Sequence, residues 1–269
     1  MPRRALIVLA LALPSVLAGQ SPPTPRAPSA VIVQFVRFAD IFGSRLVAAF
    51  DSIPASRYDY RPTPPQQTIG YIAQHLEDAN YGLCERLGSS KHHRTAKDLL
   101  PDTVKAQWPK DTLVARLEAS LRFCDAAMER LGTLESPAVA STLLAFETDL
   151  AEHYSQISNY MRLLGMVPPS ALPPPVRTAI ELPASALSPY VGVYDLAAGM
   201  ELDVTLRNGA LFVRSNVGGS PAQLWPESNS DFFVKGADAQ VTFVRDTTGA
   251  VSSLVLHQFG RDRPARKRR

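Results

Sequence analysis

Asp149 and His153 stand four residues apart in DLAEHYSQISNYMRLLG, residues 149–165. Leu150, Ile157, Tyr160 or Met161, and Leu164 recur there at helical spacing, and His153 falls inside that apolar stripe. Residues four apart on a helix share a face, with Cβ atoms about 5–6 Å apart. Asp149 and His153 can therefore reach one point beside the helix, and Gln156 and Tyr160 continue the same edge. A second histidine, His75, flanks the face made by Ile69, Ile72, Leu76 and Ala79 in IGYIAQHLEDAN. A buried imidazole needs hydrogen bonds or a metal, since an unsatisfied polar group costs about 1–3 kcal/mol. If the two helices pack side by side, His75, Asp149 and His153 converge. Two imidazoles and one carboxylate suit a divalent first-row metal such as zinc, nickel, iron or manganese. Three protein ligands leave a position open, where the pKa of a bound water falls. Glu77, Gln156 and Tyr160 are candidates for orienting a substrate. The alternative is a packed or partly exposed histidine and a surface ion pair worth a few tenths of a kcal/mol.

The elements that must hold these residues follow from the periodicity. Phe35, Phe38, Phe42, Leu46, Phe50 and Ile53 step by three or four, which predicts a helix from Ser29 to Pro54. The loop RYDYRPTPPQQ follows, and Thr68 is a fitting N-cap for a second helix that ends near Gly88. The segment SSKHHRTAKDLLPD reads as a polar linker, with His92 and His93 solvated. A third helix is predicted from a cap at Asp111 to about Leu131, with Leu113, Leu117, Leu121 and Met128 on its apolar face. A fourth runs from Pro137 to Leu164 and closes at Gly165. Four amphipathic helices suggest a four-helix bundle. Past a proline-rich spacer the period changes to two. YVGVY, MELDVTLRNG, ALFVRS, DFFVKG, AQVTFVRD and SSLVLHQF read as strands, and Asn208-Gly209 is a hairpin signal. The fold class is α+β as two separate domains, a four-helix bundle followed by a small antiparallel β-barrel or sandwich.

Composition bounds the function. MPRRALIVLALALPSVLAGQ has a basic start, an apolar run from Ala5 to Leu13, and small residues at Val16 and Ala18. That is the pattern of a secretory signal peptide over residues 1–18, too short for the ~20 residues of a spanning helix. Residues 19–28 are proline-rich and expected to be disordered, residues 29–167 form the bundle, 168–183 a linker and 184–267 the barrel. The net charge is +3, and two of those charges are Arg3 and Arg4 in the leader. No basic surface with interleaved aromatics points to nucleic acid, and the terminal RDRPARKRR reads as a solvated tail. Cys84 and Cys124 are an even pair in an exported chain, which favours a disulfide; two buried thiols are the alternative. A homodimer is compatible with all of this.

LVAAFDSIPASRYDYRPTPPQQTIGYIAQHLEDANYGLC resembles the first half of the DinB-like metal-binding family: a helix, a Y-x-x-x-P loop, then a helix with a central histidine. ETDLAEHYSQISNYMRLLGMVPP resembles its last helix, ending Y-x-R-x-x-G-x-x-P-P at Tyr160, Arg162, Gly165, Pro168 and Pro169. The resemblance covers about Ile32 to Pro169 and implies a four-helix bundle with a three-histidine metal site. His75 and His153 match the first and last of those ligands, and Asp149 replaces the middle one. A carboxylate is a harder ligand; the change also fits a degenerate, empty site. The family includes thiol transferases acting on low-molecular-weight thiols. Exported relatives carry a cysteine in each of the stretches YGLC and RFCD, which implies Cys84–Cys124 bonding. Residues from about Leu182 to Lys267 resemble the lipocalin-like β-barrel appended to some serine-β-lactamase-like peptidases, through Y-V-G-x-Y, L-x-P-x-S-x-x-x-F, F-x-R-D-x-x-G and L-x-L-H-Q. That module is an accessory, and no serine nucleophile motif is present here. His257 is read as structural, and Trp225, Phe232 and Phe233 as core. Two functions follow as expectations. One is an exported metal-dependent hydrolase or thiol transferase acting on a small molecule. The other is a non-catalytic periplasmic binding or scaffold protein.

Overall fold

The computed structural model of the protein describes residues 30–88, 90–131, 136–197 and 200–268. The expected leader and the whole proline-rich segment 19–28 lie outside the described residues. Four long helices build the first half: α1 (Ala30–Ser52), α2 (Ile69–Cys84), α4 (Lys110–Met128) and α5 (Pro137–Leu163), with a single turn, α3 (Asp102–Lys105), ahead of α4. Each long helix has neighbours on two sides, in the circuit α1–α5–α2–α4. Leu46, Phe50, Ile72, Leu76, Leu117, Phe146, Leu150 and Ile157 fill the middle and are wholly buried.

Local chemistry sets the ends. The Thr68 hydroxyl accepts a hydrogen bond from the Tyr71 backbone N–H at 3.2 Å, capping α2. The cap of α4 is Pro109, not the expected Asp111, which instead lies in the first turn, where its charge suits the helix dipole. The α4 helix also stops at Met128, short of Leu131. Gly70 approaches another backbone closely: a Cβ built there would lie 2.3 Å from the Ala106 carbonyl oxygen. No other residue lets α2 start where it does. Phe38 departs from the predicted apolar face and is 48% exposed; Ile32, Val33 and Ala39 are buried in its place. The physical reason is that the first turns of α1 cover the barrel as well as the bundle, so the buried stripe is rotated there.

Cys84 and Cys124 are disulfide-bonded, with Cα atoms 5.1 Å apart, and staple α2 to α4. Among the described residues no helix is long and apolar enough to cross a membrane.

After a short helix, α6 (Ala184–Leu187), eight strands follow: β1 (Gly192–Ala197), β2 (Met200–Arg207), β3 (Ala210–Ser215), β4 (Gly218–Pro226), β5 (Asp231–Phe233), β6 (Ala239–Arg245), β7 (Val251–Gln258) and β8 (Arg261–Lys267). Consecutive strands pair antiparallel, and β1 pairs β8 through Tyr194↔Lys267 and Asp195↔Arg266, so the sheet closes into a barrel. The β2–β3 turn is Asn208-Gly209 with φ of 49° and 77°, the left-handed pair that a tight hairpin requires. Phe232 and Phe233 are core residues; Trp225 is half-buried with the Lys235 ammonium 3.3 Å from its ring centre. The imidazole of His257 pairs with Asp262 at 2.6 Å and Thr242 at 3.0 Å, a structural role.

The basic C-terminal stretch is not a solvated tail. Residues 261–267 are the last strand of the barrel. Pro264 is tolerated because β8 has only β7 as partner at that point. Arg261 forms an ion pair with Asp40 of α1 at 2.9 Å and also pairs with Asp125 of α4, and Arg263 pairs with Asp40. The barrel is thus pinned to the bundle by buried charge.

Burial pushes the Asp125 carboxyl up to about 6 and raises Asp40, both against the pull of the arginines. On α5, burial and then the Asp40 charge push Glu147 up to about 8, against a smaller lowering from the Ala39 backbone. A folded pKa above the unfolded one contributes stability that is present at low pH and lost as the pH rises. Melting should therefore weaken from pH 4.5 toward about 8. Glu147→Gln should flatten that slope and stabilise the alkaline end by on the order of a few kcal/mol. The check is thermal unfolding across the range. Replacing both cysteines with alanine should cost up to about 4 kcal/mol for a closed loop of this length, read as a lower denaturant midpoint.

Candidate metal centre

Helices α2 and α5 are neighbours, and they bring His75, Asp149 and His153 together. His75 Nε2 lies 3.7 Å and His153 Nε2 3.5 Å from the same oxygen, Asp149 Oδ1. The two imidazole rings meet edge to face, with centroids 4.9 Å apart. One ligand atom from each residue lies within 4.8 Å of the others. A tetrahedral shell with bonds of about 2.1 Å sets donors roughly 3.4 Å apart, so side-chain shifts of about an ångström would close the set. His153 is mostly buried, while the His75 side chain is 37% exposed and faces the open side. Asp149 Oδ2 is buried and has no hydrogen-bond partner.

A chain of hydrogen bonds fixes the state of His153. Its far end is the Gln67 backbone carbonyl, which can only accept. The Tyr160 hydroxyl donates to it at 3.2 Å. Tyr160 therefore receives the Gln156 amide N–H at 3.1 Å, and the Gln156 carbonyl oxygen faces His153. That oxygen accepts from His153 Nδ1 at 2.9 Å, so Nδ1 carries a proton. In the neutral ring the lone pair sits on Nε2, 3.5 Å from the Asp149 carboxylate. A lone pair facing a carboxylate calls for a cation between them. The Asp149 carboxylate raises the pKa of His75 against burial, which lowers it; Asp102 and Asp78 add to the anionic field. The donor set, the orphaned Asp149 Oδ2 and the hydrogen-bonded second nitrogen of His153 all fit a divalent metal.

Gln156 and Tyr160, candidates for orienting a substrate, form the hydrogen-bonded chain to His153. The Gln67 carbonyl was not foreseen, because a backbone atom leaves no trace in residue type. It is delivered by the proline-stiffened loop before α2, where the Tyr60 ring meets Tyr160 edge on, 6.0 Å between centroids. Glu77 lies about 200° around α2 from His75 and faces α4. Its carboxylate accepts from Arg116 at 2.7 Å, and Arg116 also pairs with Asp98. Burial raises the Asp98 pKa, but hydrogen bonds from Thr95 and Arg116 overcome it and hold the group well below the usual carboxylate range. His92 is not a free linker side chain: it stacks on Tyr81 with ring centroids 3.6 Å apart. Glu77, His92 and Asp98 offer ligand atoms within 4.8 Å of one another. The Arg116 guanidinium already sits between the two carboxylates, so that cluster holds a built-in cation.

Residues 40–157 match the family model of the DinB superfamily, and the helical half of the chain is a DinB-superfamily domain. Residues 176–266 match the family model of a domain of unknown function (DUF3471), which is the appended eight-stranded barrel. No curated protein sequence matches the chain. Among solved structures, "Crystal structure of SurE" is 22% identical with a TM-score of 0.31, over 45% of this chain and 27% of that one. "Crystal structure of SurE with D-Leu" is 14% identical with a TM-score of 0.30, over 94% of this chain and 90% of that one.

The chain of hydrogen bonds makes a prediction that is independent of any metal. In the metal-free protein the neutral His153 ring should be the Nδ1–H tautomer, with a pyridine-like nitrogen shift at Nε2 in long-range proton–nitrogen spectra. Gln156→Leu should remove that preference and mix the two tautomers. A pure Nε2–H ring in the unaltered protein would contradict the assigned polarity.

Proposed function

We propose that the chain is an exported protein whose bundle holds a divalent first-row metal through His75, Asp149 and His153, and that small-molecule hydrolysis or thiol transfer takes place at the open side. The observation that carries this reading is His153 Nε2 lying 3.5 Å from Asp149 Oδ1 while Nδ1 holds the ring proton, beside a carboxylate whose Oδ2 is buried and partnerless. A metal of this class supplies Lewis acidity toward an oxygen or sulfur nucleophile. Asp149 supplies the negative charge that two neutral imidazoles lack. The Gln156–Tyr160–Gln67 chain keeps the His153 ring from turning away. His75, at the exposed edge, leaves room for a small molecule to enter beside it. Export is supported by the leader pattern of residues 1–18 and by the Cys84–Cys124 bond.

A second reading rests on the 3.7 Å contact between His75 and Asp149. A protonated His75 can take the cation's place, leaving a non-catalytic periplasmic scaffold with a degenerate site.

Metal analysis separates the two. Purified without a histidine tag, the protein should carry or take up about one equivalent of zinc, nickel, iron or manganese. Saturating metal should raise the melting temperature, by about 2.7 kcal/mol of stability at a hundredfold excess over Kd. His153→Ala should abolish both effects. Less than about a tenth of an equivalent, with no uptake and no shift on adding zinc or nickel, would overturn the metal reading and leave the scaffold.

A further inference from the structure

The barrel is filled at one end only. Tyr190, Tyr194, Phe232 and Phe243 pack there, with the Tyr190 and Phe243 rings 4.5 Å apart and Phe232 and Phe243 5.3 Å apart. The inward side of each strand continues past that layer. Leu202 follows from Val204, Val213 from Leu211, Ala222 from Leu224, Val241 from Phe243 and Leu256 from Leu254, two residues at a time. These five side chains wall a cavity of about 430 Å³ in the other half of the lumen. The α1 helix of the bundle lies across its mouth, presenting Val33, Val36 and Arg37. A small closed barrel can hold one small ligand, and the volume is in the range of small-molecule sites. At the ~30 Å³ a water-sized group occupies in a liquid, it holds roughly a dozen non-hydrogen atoms.

The walls are apolar and the mouth is cationic. Arg263 points inward from β8, and its Nη2 pairs with Asp40. Its Nε and Nη1 have no acceptor among the described residues, and Arg37 makes no ion pair among them. The Asp40 carboxylate is shared with Arg261, so it does not neutralise both guanidiniums at the mouth. A planar guanidinium with free N–H donors matches a carboxylate.

We propose that the lumen binds a medium-chain carboxylate, a straight-chain fatty acid of about eight to ten carbons, with its tail among the five wall residues and its head at Arg37 and Arg263. The site is separate from the histidine cluster and does not depend on metal. Because α1 forms its cover, a ligand there touches both halves of the chain.

Isothermal titration of the full chain with decanoate, decanol and acetate tests this. Decanoate should bind saturably at one site and acetate should not bind. Decanol should be weaker by about tenfold or more, the worth of a charge-assisted contact. Leu256→Trp, which fills the lumen, should abolish decanoate binding. If circular dichroism shows that variant unfolded, Ala222→Leu makes a smaller obstruction. Arg37→Gln, at an exposed position, should weaken decanoate and leave decanol unchanged. Absence of saturable decanoate binding would overturn the proposal, as would undiminished binding in a folded, lumen-filled variant. Equal affinity for decanol and decanoate would overturn the assignment of the head group to the arginines.

Discussion

A backbone carbonyl has no proton to give, and the histidine cluster depends on that fact. The Gln67 oxygen dictates the direction of the Tyr160 hydroxyl, which dictates the face of the Gln156 amide, which dictates the protonated nitrogen of His153. Three side-chain orientations that would otherwise be free are set by one fixed acceptor. The acceptor is itself held by its surroundings: Thr68 caps the helix that begins beside it, and Gly70 allows the backbone at Ala106 to come near. The ligand geometry is thus a property of the loop before α2 as much as of the helices that carry the histidines. Removing the glycine or the cap would move a carbonyl several residues from His75 and still be felt at His153.

The bundle was largely legible because its signals are strong and repeated. Apolar spacing placed all four long helices, and Thr68 marked the start of α2 as drawn. The convergence of His75, Asp149 and His153 followed from i, i+4 geometry once α2 and α5 were neighbours. What failed has a physical cause in each case. Phe38 sits on the regular stripe, but Ile32, Val33 and Ala39 are buried there instead, with Val33 and Val36 turned toward the barrel mouth. Asp111 has the chemistry of a cap, but Pro109 two residues earlier takes that place. RDRPARKRR has none of the marks of a strand, being rich in arginine and interrupted by proline. Its pairing comes from closure of the barrel and from carboxylates more than a hundred residues upstream, neither of which local propensity can report. His92 looked solvated because the ring it stacks on, Tyr81, is on another element.

Two kinds of charge compensation coexist in the molecule. On the α2–α4 side, Arg116 lies between Glu77 and Asp98, with Trp108 under its guanidinium, so a fixed positive charge stands among the carboxylates. On the α2–α5 side, the carboxylate of Asp149 is shared between two imidazoles that need not both be charged. The first cluster carries its own permanent cation, and the second is cationic only where an imidazole is protonated. That contrast, within one bundle, sets the proposed metal centre apart from the arginine-held cluster.

The joint between the halves has an order in time as well as in space. Arg261 and Arg263 are translated long after Asp40 and Asp125, so the helices are synthesised before the guanidiniums that will face them. Arrival of the final strand both closes the barrel and brings those two acids their arginine partners, so the same short segment completes one half of the chain and joins it to the other.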